Sequence, residues 1–177
     1  MALIQKTNPV GVDVQIDEFQ VYLYDALGIS DWEMYPRAYF NTKGNSLTPE
    51  HYEGSEEYDN VMYDDTHDMS SFFITDTTRD IAFDGLATTQ VSLIVQADLP
   101  ALYPLITHRA DEELTNAIHQ SSNRYIPKAW FKLERVLYTI DEVYREFDKS
   151  QIRLTDISNR YVARFEYNVR YAANCIS

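Results

Sequence analysis

From Tyr161 to Tyr171 the chain reads Tyr-Val-Ala-Arg-Phe-Glu-Tyr-Asn-Val-Arg-Tyr. Tyr161, Ala163, Phe165, Tyr167, Val169 and Tyr171 fall on one side; Val162, Arg164, Glu166, Asn168 and Arg170 fall on the other. Successive side chains of an extended backbone point to opposite faces, so this sustained period of two describes a β-strand. Its charged second face predicts a sheet covered on one side only. A strand this long near the end of the chain implies a wide antiparallel scaffold.

The remaining elements are shorter. Residues 13–28 place Ile16, Phe19, Leu23 and Leu27 at helical spacing, with Asp13, Asp17 and Glu18 near the start and Gly28 in the position of a C-cap. Tyr35 to Lys43 reads as a strand that Pro36 confines to a strand start or a sheet edge, followed by a turn at Lys43-Gly44-Asn45-Ser46. Ser71 to Thr75 is a short apolar strand, and Thr88 to Ala97 alternates Val91, Leu93, Val95 and Ala97 against Gln90, Ser92 and Gln96. A helix is expected from about Thr107 to Ser122 on the stripe Ile106, Ala110, Leu114, Ala117 and Ile118, and a short one from Ile140 to Phe147. Ile152 to Thr155 reads as a strand or hairpin arm that turns through Ser158-Asn159 into the terminal strand. No repeat or linker divides the chain. The expected class is α+β: a single domain with an antiparallel or mixed sheet and two to three helices packed on one face.

One stretch departs from this pattern. Between Lys43 and Arg79 there is no Lys or Arg, while Glu50, Glu53, Glu56, Glu57, Asp59, Asp64, Asp65, Asp68 and Asp76 all fall inside it. Periodicity is poor there, so residues of about 44–70 read as a long acidic arm or loop outside the packed core. The whole chain carries a formal charge of −13, which argues against a phosphate-directed nucleic-acid binder. Its fourteen tyrosines suit strands, and also subunit contacts that stay partly wet. A lone Cys175 cannot form an internal disulfide, which points to a reducing compartment. No apolar run reaches the length of a membrane span, and the first residues lack a signal-peptide core.

Candidate chemistry is sparse. Asp64-Asp65-Thr66-His67-Asp68 combines carboxylates and an imidazole that could ligate Mg²⁺, Mn²⁺ or Zn²⁺, but its spacing matches no known loop or helix motif. A solvated charge run accounts for it more simply. His108 and His119 are three helical turns apart, too far to share a metal. Ser121-Ser122 near His119 lacks a nucleophile elbow, the five glycines form no phosphate loop, and Cys175 has no neighbouring His. Arg109 lies within ion-pairing reach of Glu112 and Glu113, as a solvated helix face or a subunit-contact patch. No catalytic, cofactor-binding or metal-ligating residue is assigned.

The order of elements resembles that of small ring-forming proteins of bacteriophage necks and tails, among them connectors and tail terminators. The phrases Tyr35-Pro-Arg-Ala-Tyr39, Pro49-Glu-His-Tyr52, Glu57-Tyr-Asp-Asn-Val61, Ser71-Phe-Phe73, Val91-Ser-Leu-Ile-Val-Gln-Ala-Asp-Leu99 and His108-Arg-Ala-Asp-Glu-Glu113 look like a virion protein of crAss-like phages. The resemblance implies a non-enzymatic subunit of a cyclic homo-oligomer that joins portal and tail. Such a subunit would be assembled in the host cytoplasm and carried in the virion beside portal, connector or tail proteins. DNA would pass through without specific binding. Two other classes fit the residues: a small metal-dependent enzyme using Asp64–Asp68, and an acidic adaptor that mimics nucleic acid.

Overall fold

Val12–Leu27 form helix α1, which turns Val12, Ile16, Phe19 and Leu23 inward and ends where Gly28 takes a left-handed conformation (φ 59°). That backbone costs a glycine little, and the Gly28 N–H closes the last turn on the Tyr24 carbonyl. The computed structural model describes residues 2–43, 46–54, 57–62, 66–76, 78–82, 85–125, 130–149 and 160–172. Besides α1 it contains helices α2 (Leu99–Leu102), α3 (Asp111–Arg124) and α4 (Ile140–Val143). Its strands are β1 (Ala2–Leu3), β2 (Trp32–Arg37), β3 (Tyr39–Lys43), β4 (Ser46–Gly54), β5 (Glu57–Asn60), β6 (Met69–Thr75), β7 (Asp80–Ile81), β8 (Leu86–Ala97), β9 (Phe131–Leu137) and β10 (Tyr161–Ala172). The class is α+β.

A mixed seven-stranded sheet in the order β1-β2-β6-β8-β10-β9, with β7 on β8, forms the frame. β1, β2 and β6 run parallel, and β6, β8, β10 and β9 alternate in direction. Parallel neighbours need a crossover. Helix α1 supplies the one between β1 and β2, and the acidic excursion supplies the one between β2 and β6.

That excursion is not the free arm expected from sequence. Its described residues build β4 and β5, which join β3 in a separate three-stranded antiparallel sheet. Thr48, Glu50, His51, Val61 and Met62 are buried, and Met69 and Ser70 already belong to the central sheet. Two of the excursion's acids, Glu57 and Asp59, are carried on an outer strand, β5, whose four residues are all exposed. Apolar periodicity fails here because β4 buries polar side chains.

The terminal strand also departs from expectation. Its aromatic face packs as predicted: Phe165, Tyr167 and Val169 join Phe19, Phe131, Leu114 and Ile118 under α1 and α3. The opposite face is covered too. Val162 packs with Phe72, Ile74 and Ile94 beneath Val143, Tyr144 and Phe147, and Arg164 and Glu166 are buried. Only from Asn168 onward does this face meet solvent, at Asn168, Arg170 and Ala172. The sheet therefore has a core on each side, with α1 and α3 on one and α4 on the other.

Boundaries shift elsewhere for local reasons. Tyr35 to Lys43 is two strands, broken at Ala38, whose N–H bonds the Phe73 carbonyl. The helix expected from Thr107 begins at Asp111, which leaves His108 outside it. The short helix ends at Val143 and continues as turns to Phe147. Strand β9 had no counterpart in the sequence reading, because an extra residue, Glu134, bulges where Leu133 and Arg135 face Tyr167 and Glu166 and breaks the alternation. The hairpin arm expected at 152–155 and its turn at 158–159 lie outside the described residues.

Candidate functional site

The densest chemistry sits where the second face of β10 meets the turns after α4. Arg164 is 3% exposed. Its Nη1 donates to Glu146 Oε2 at 2.6 Å and to the Val143 carbonyl at 3.4 Å, and its Nε donates to Ser92 Oγ at 3.1 Å. Glu166, fully buried, is held by Arg164 Nε at 3.1 Å, by Arg145 Nη2 at 2.9 Å and by Arg135 Nε. Three guanidiniums thus enclose two carboxylates. The strand register causes it: Arg164 and Glu166 project from the face on which β8 offers Ser92 and Ile94. Burial raises the Glu146 pKa, and hydrogen bonds and charge from Arg164 and Arg145 overcome it, leaving Glu146 below the ordinary carboxylate value. A cleft of about 170 Å³ opens beside the network, lined by Phe40, Ile74, Asp76, Gln90 and Arg145. With every charge answered by an opposite one, the arrangement locks the α4 segment to the sheet.

A second cluster holds His67, one member of the acidic Asp64–Asp68 run. His67 Nδ1 lies 2.9 Å from Asp31 Oδ1, and its Nε2 lies 3.4 Å from Glu33 Oε2. Tyr35 donates to the same Glu33 oxygen at 2.8 Å, and the Asp68 N–H donates to Asp31 Oδ2 at 3.2 Å. The hydrogen bond from His67 and that from the Asp68 backbone lower the Asp31 pKa. His67 therefore serves the β2–β6 junction; Asp64 and Asp65 lie outside the described residues. Among the described residues no group of three His, Cys, Asp or Glu is placed to hold a metal ion.

A third feature is a groove of about 710 Å³ between the N-terminal segment and β4, lined by Ile4, Lys6, Arg37, Tyr39, His51 and Tyr52. Behind it Asp13, in the first turn of α1, receives Lys6 and Arg37, the latter through Nη2 at 2.8 Å. Gln20 ties the same helix to the sheet by donating to the Ile4 carbonyl at 2.9 Å and the Met34 carbonyl at 3.0 Å. The groove's cations are committed to this anchor.

The other sequence candidates are dispersed. His108 pairs with Glu113 at 2.8 Å, and His119 is exposed on α3. Arg109 pairs with Asp111 at 2.7 Å rather than with Glu112 or Glu113. Ser122 is buried, donates to the Ile118 carbonyl and meets the Tyr167 hydroxyl at 2.9 Å; Thr115 meets that of Tyr161 at the same distance. These contacts explain how α3 accommodates buried tyrosines. Burial pushes Tyr161 and Tyr167 well above the ordinary tyrosine pKa, so both stay neutral. Cys175 lies outside the described residues.

The Arg164–Glu166 network was missed because charged residues on a strand face ordinarily mark solvent. A signal was present in Arg145 and Glu146, a second alternating-sign pair beside the apolar Val143-Tyr144. No described helix is long and apolar enough to cross a membrane. Comparison with protein-family models and with curated proteins finds no match to this chain.

Proposed function

We propose that this chain is a structural virion protein, the subunit of a cyclic homo-oligomeric ring in a phage neck or tail, of connector or tail-terminator type. It joins portal and tail and lines or seals the DNA channel, and it performs no chemistry. The observation that carries the reading is the pairing of a braced sheet, covered on both faces, with an outlying β-meander. The meander presents an exposed edge strand and two exposed tyrosines, Tyr52 and Tyr58, whose rings meet at 5.0 Å. A ring subunit needs a body that does not deform and a projection that reaches a neighbour. The charge of −13 supports the channel role, since a weakly repelling wall lets a polyanion slide. The arrangement of the Arg164–Glu166 network and of the Asp13 anchor supports a non-enzymatic role, because both are spent on internal ion pairs. The test is composition and cryo-electron microscopy of purified particles. The expected result is this chain as a symmetric ring between portal and tail; its absence from particles overturns the reading.

A further inference from the structure

Among the described residues β1, β3, β5, β7 and β9 each pair on one side only, and two of these edges, β5 and β9, differ sharply in charge. β5 pairs only with β4, and β9 pairs only with β10. They lie toward opposite ends of the molecule: β9 ends the central sheet, while the meander packs through β4 against β2, near the sheet's other end. An unpaired edge carries a row of backbone donors and acceptors able to take up another strand.

The two edges differ in charge. β5 presents Glu57 and Asp59, opposite Gly54 and His51 of β4, with Glu53 at the bulge between Tyr52 and Gly54. Asp59, through a hydrogen bond and its own charge, pushes the Glu53 pKa up, as expected where carboxylates crowd together. β9 exposes Lys132 and Arg135, the latter also paired through Nε with buried Glu166, around Glu134, and Arg170 is exposed on the adjacent strand. In a chain with 28 acidic and 15 basic residues, a basic margin is a local exception. Both edges are flanked by exposed aromatic rings, Tyr52 and Tyr58 at one and Trp130 and Tyr138 at the other. Such rings are enriched in protein interfaces.

We infer that β5 of one copy adds to the β9 edge of a second copy, extending the central sheet from subunit to subunit. Charge selects this pairing. β5 against β5 sets Glu57 and Asp59 against their like, whereas β5 against β9 sets them against Lys132. The contact uses two different patches, so it is heterologous and propagates in one direction until it closes. The inference rests on the ring reading above and names the surfaces that reading requires.

The test uses two charge-reversed proteins, Lys132→Glu and the double substitution Glu57→Lys/Asp59→Lys, with mass photometry and analytical ultracentrifugation across a concentration series. All three positions are exposed, so thermal melts should match the parent and exclude misfolding. Each variant alone should self-associate at least about tenfold more weakly than the parent. Mixed in equal amounts they should assemble again, because each supplies the edge charge that the other lacks. Three results overturn the inference: a parent chain monomeric throughout the series, reversal without effect, or loss that mixing does not restore. The chain's presence as a ring in particles is a separate readout, so this pairing can fail while the ring reading stands.

Discussion

Arg164 and Asn168 lie on the same face of β10, four residues apart, yet their environments are opposite. Arg164 is buried among Ser92, Glu146 and Glu166, while Asn168 is exposed. Removing one partner from a buried ion network leaves the others uncompensated, at a cost of about 3–5 kcal/mol. Arg164→Ala should therefore lose stability on that scale in urea denaturation, with Asn168→Ala within about 0.5 kcal/mol of the parent. Equal, small effects would mean that the second face is open. Asp13 makes a pH-dependent contribution. Burial raises its pKa, but hydrogen bonds and charge from Arg37 and Lys6 outweigh this, so the folded value is below the unfolded one. A depressed carboxylate stabilises the fold fully above its unfolded pKa of about 4 and loses that contribution as pH falls through the folded value. Denaturation midpoints measured down to acid pH should fall for the parent, and Asp13→Asn should flatten part of that slope. An unchanged slope in the variant would show that another carboxylate dominates.

At the scale of elements, the meander shows how an acidic, aperiodic stretch acquires order. β4 bonds to β3 on one side and β5 on the other, and it buries Thr48, Glu50 and His51. Asn41 Nδ2, on the neighbouring strand, donates to Oε2 of the buried Glu50 carboxylate at 2.6 Å. β5 has bonds on one side and no buried residue. Opening free energies follow burial and bonding. Hydrogen exchange of the isolated subunit should therefore be at least about tenfold slower on β4 than on β5. Uniformly fast exchange across 46–60 would restore the free arm that the composition suggested. The network of Arg135, Arg145 and Arg164 with Glu146 and Glu166 plays the corresponding part for α4. A helix of four residues cannot persist alone, and the ion pairs hold it where Val143 and Tyr144 complete the second core.

For the whole molecule, the charge of −13 predicts negligible binding of duplex DNA at physiological salt, with no steep salt dependence, in fluorescence anisotropy. Tight, salt-sensitive binding would contradict a passive channel wall. The sequence by itself determined the elements whose register matches an apolar period: α1 with its Gly28 cap, β8, and the aromatic face of β10. Each was legible because one side of the element carries a row of apolar side chains while polar residues interrupt the other, and that asymmetry is written in the order of residues. Three features were decided only by tertiary structure. β9 is hidden by the bulge at Glu134, β4 by its buried polar residues, and the second core by the charges of Arg164 and Glu166. In each case a side chain's burial depends on a partner distant in sequence: Arg145 and Glu146 for β10, Asn41 for Glu50, Tyr167 and Glu166 for β9. Local pattern reports the apolar side of an element, whereas a charge can be buried only where the fold brings a counter-charge or a hydrogen-bond donor to it.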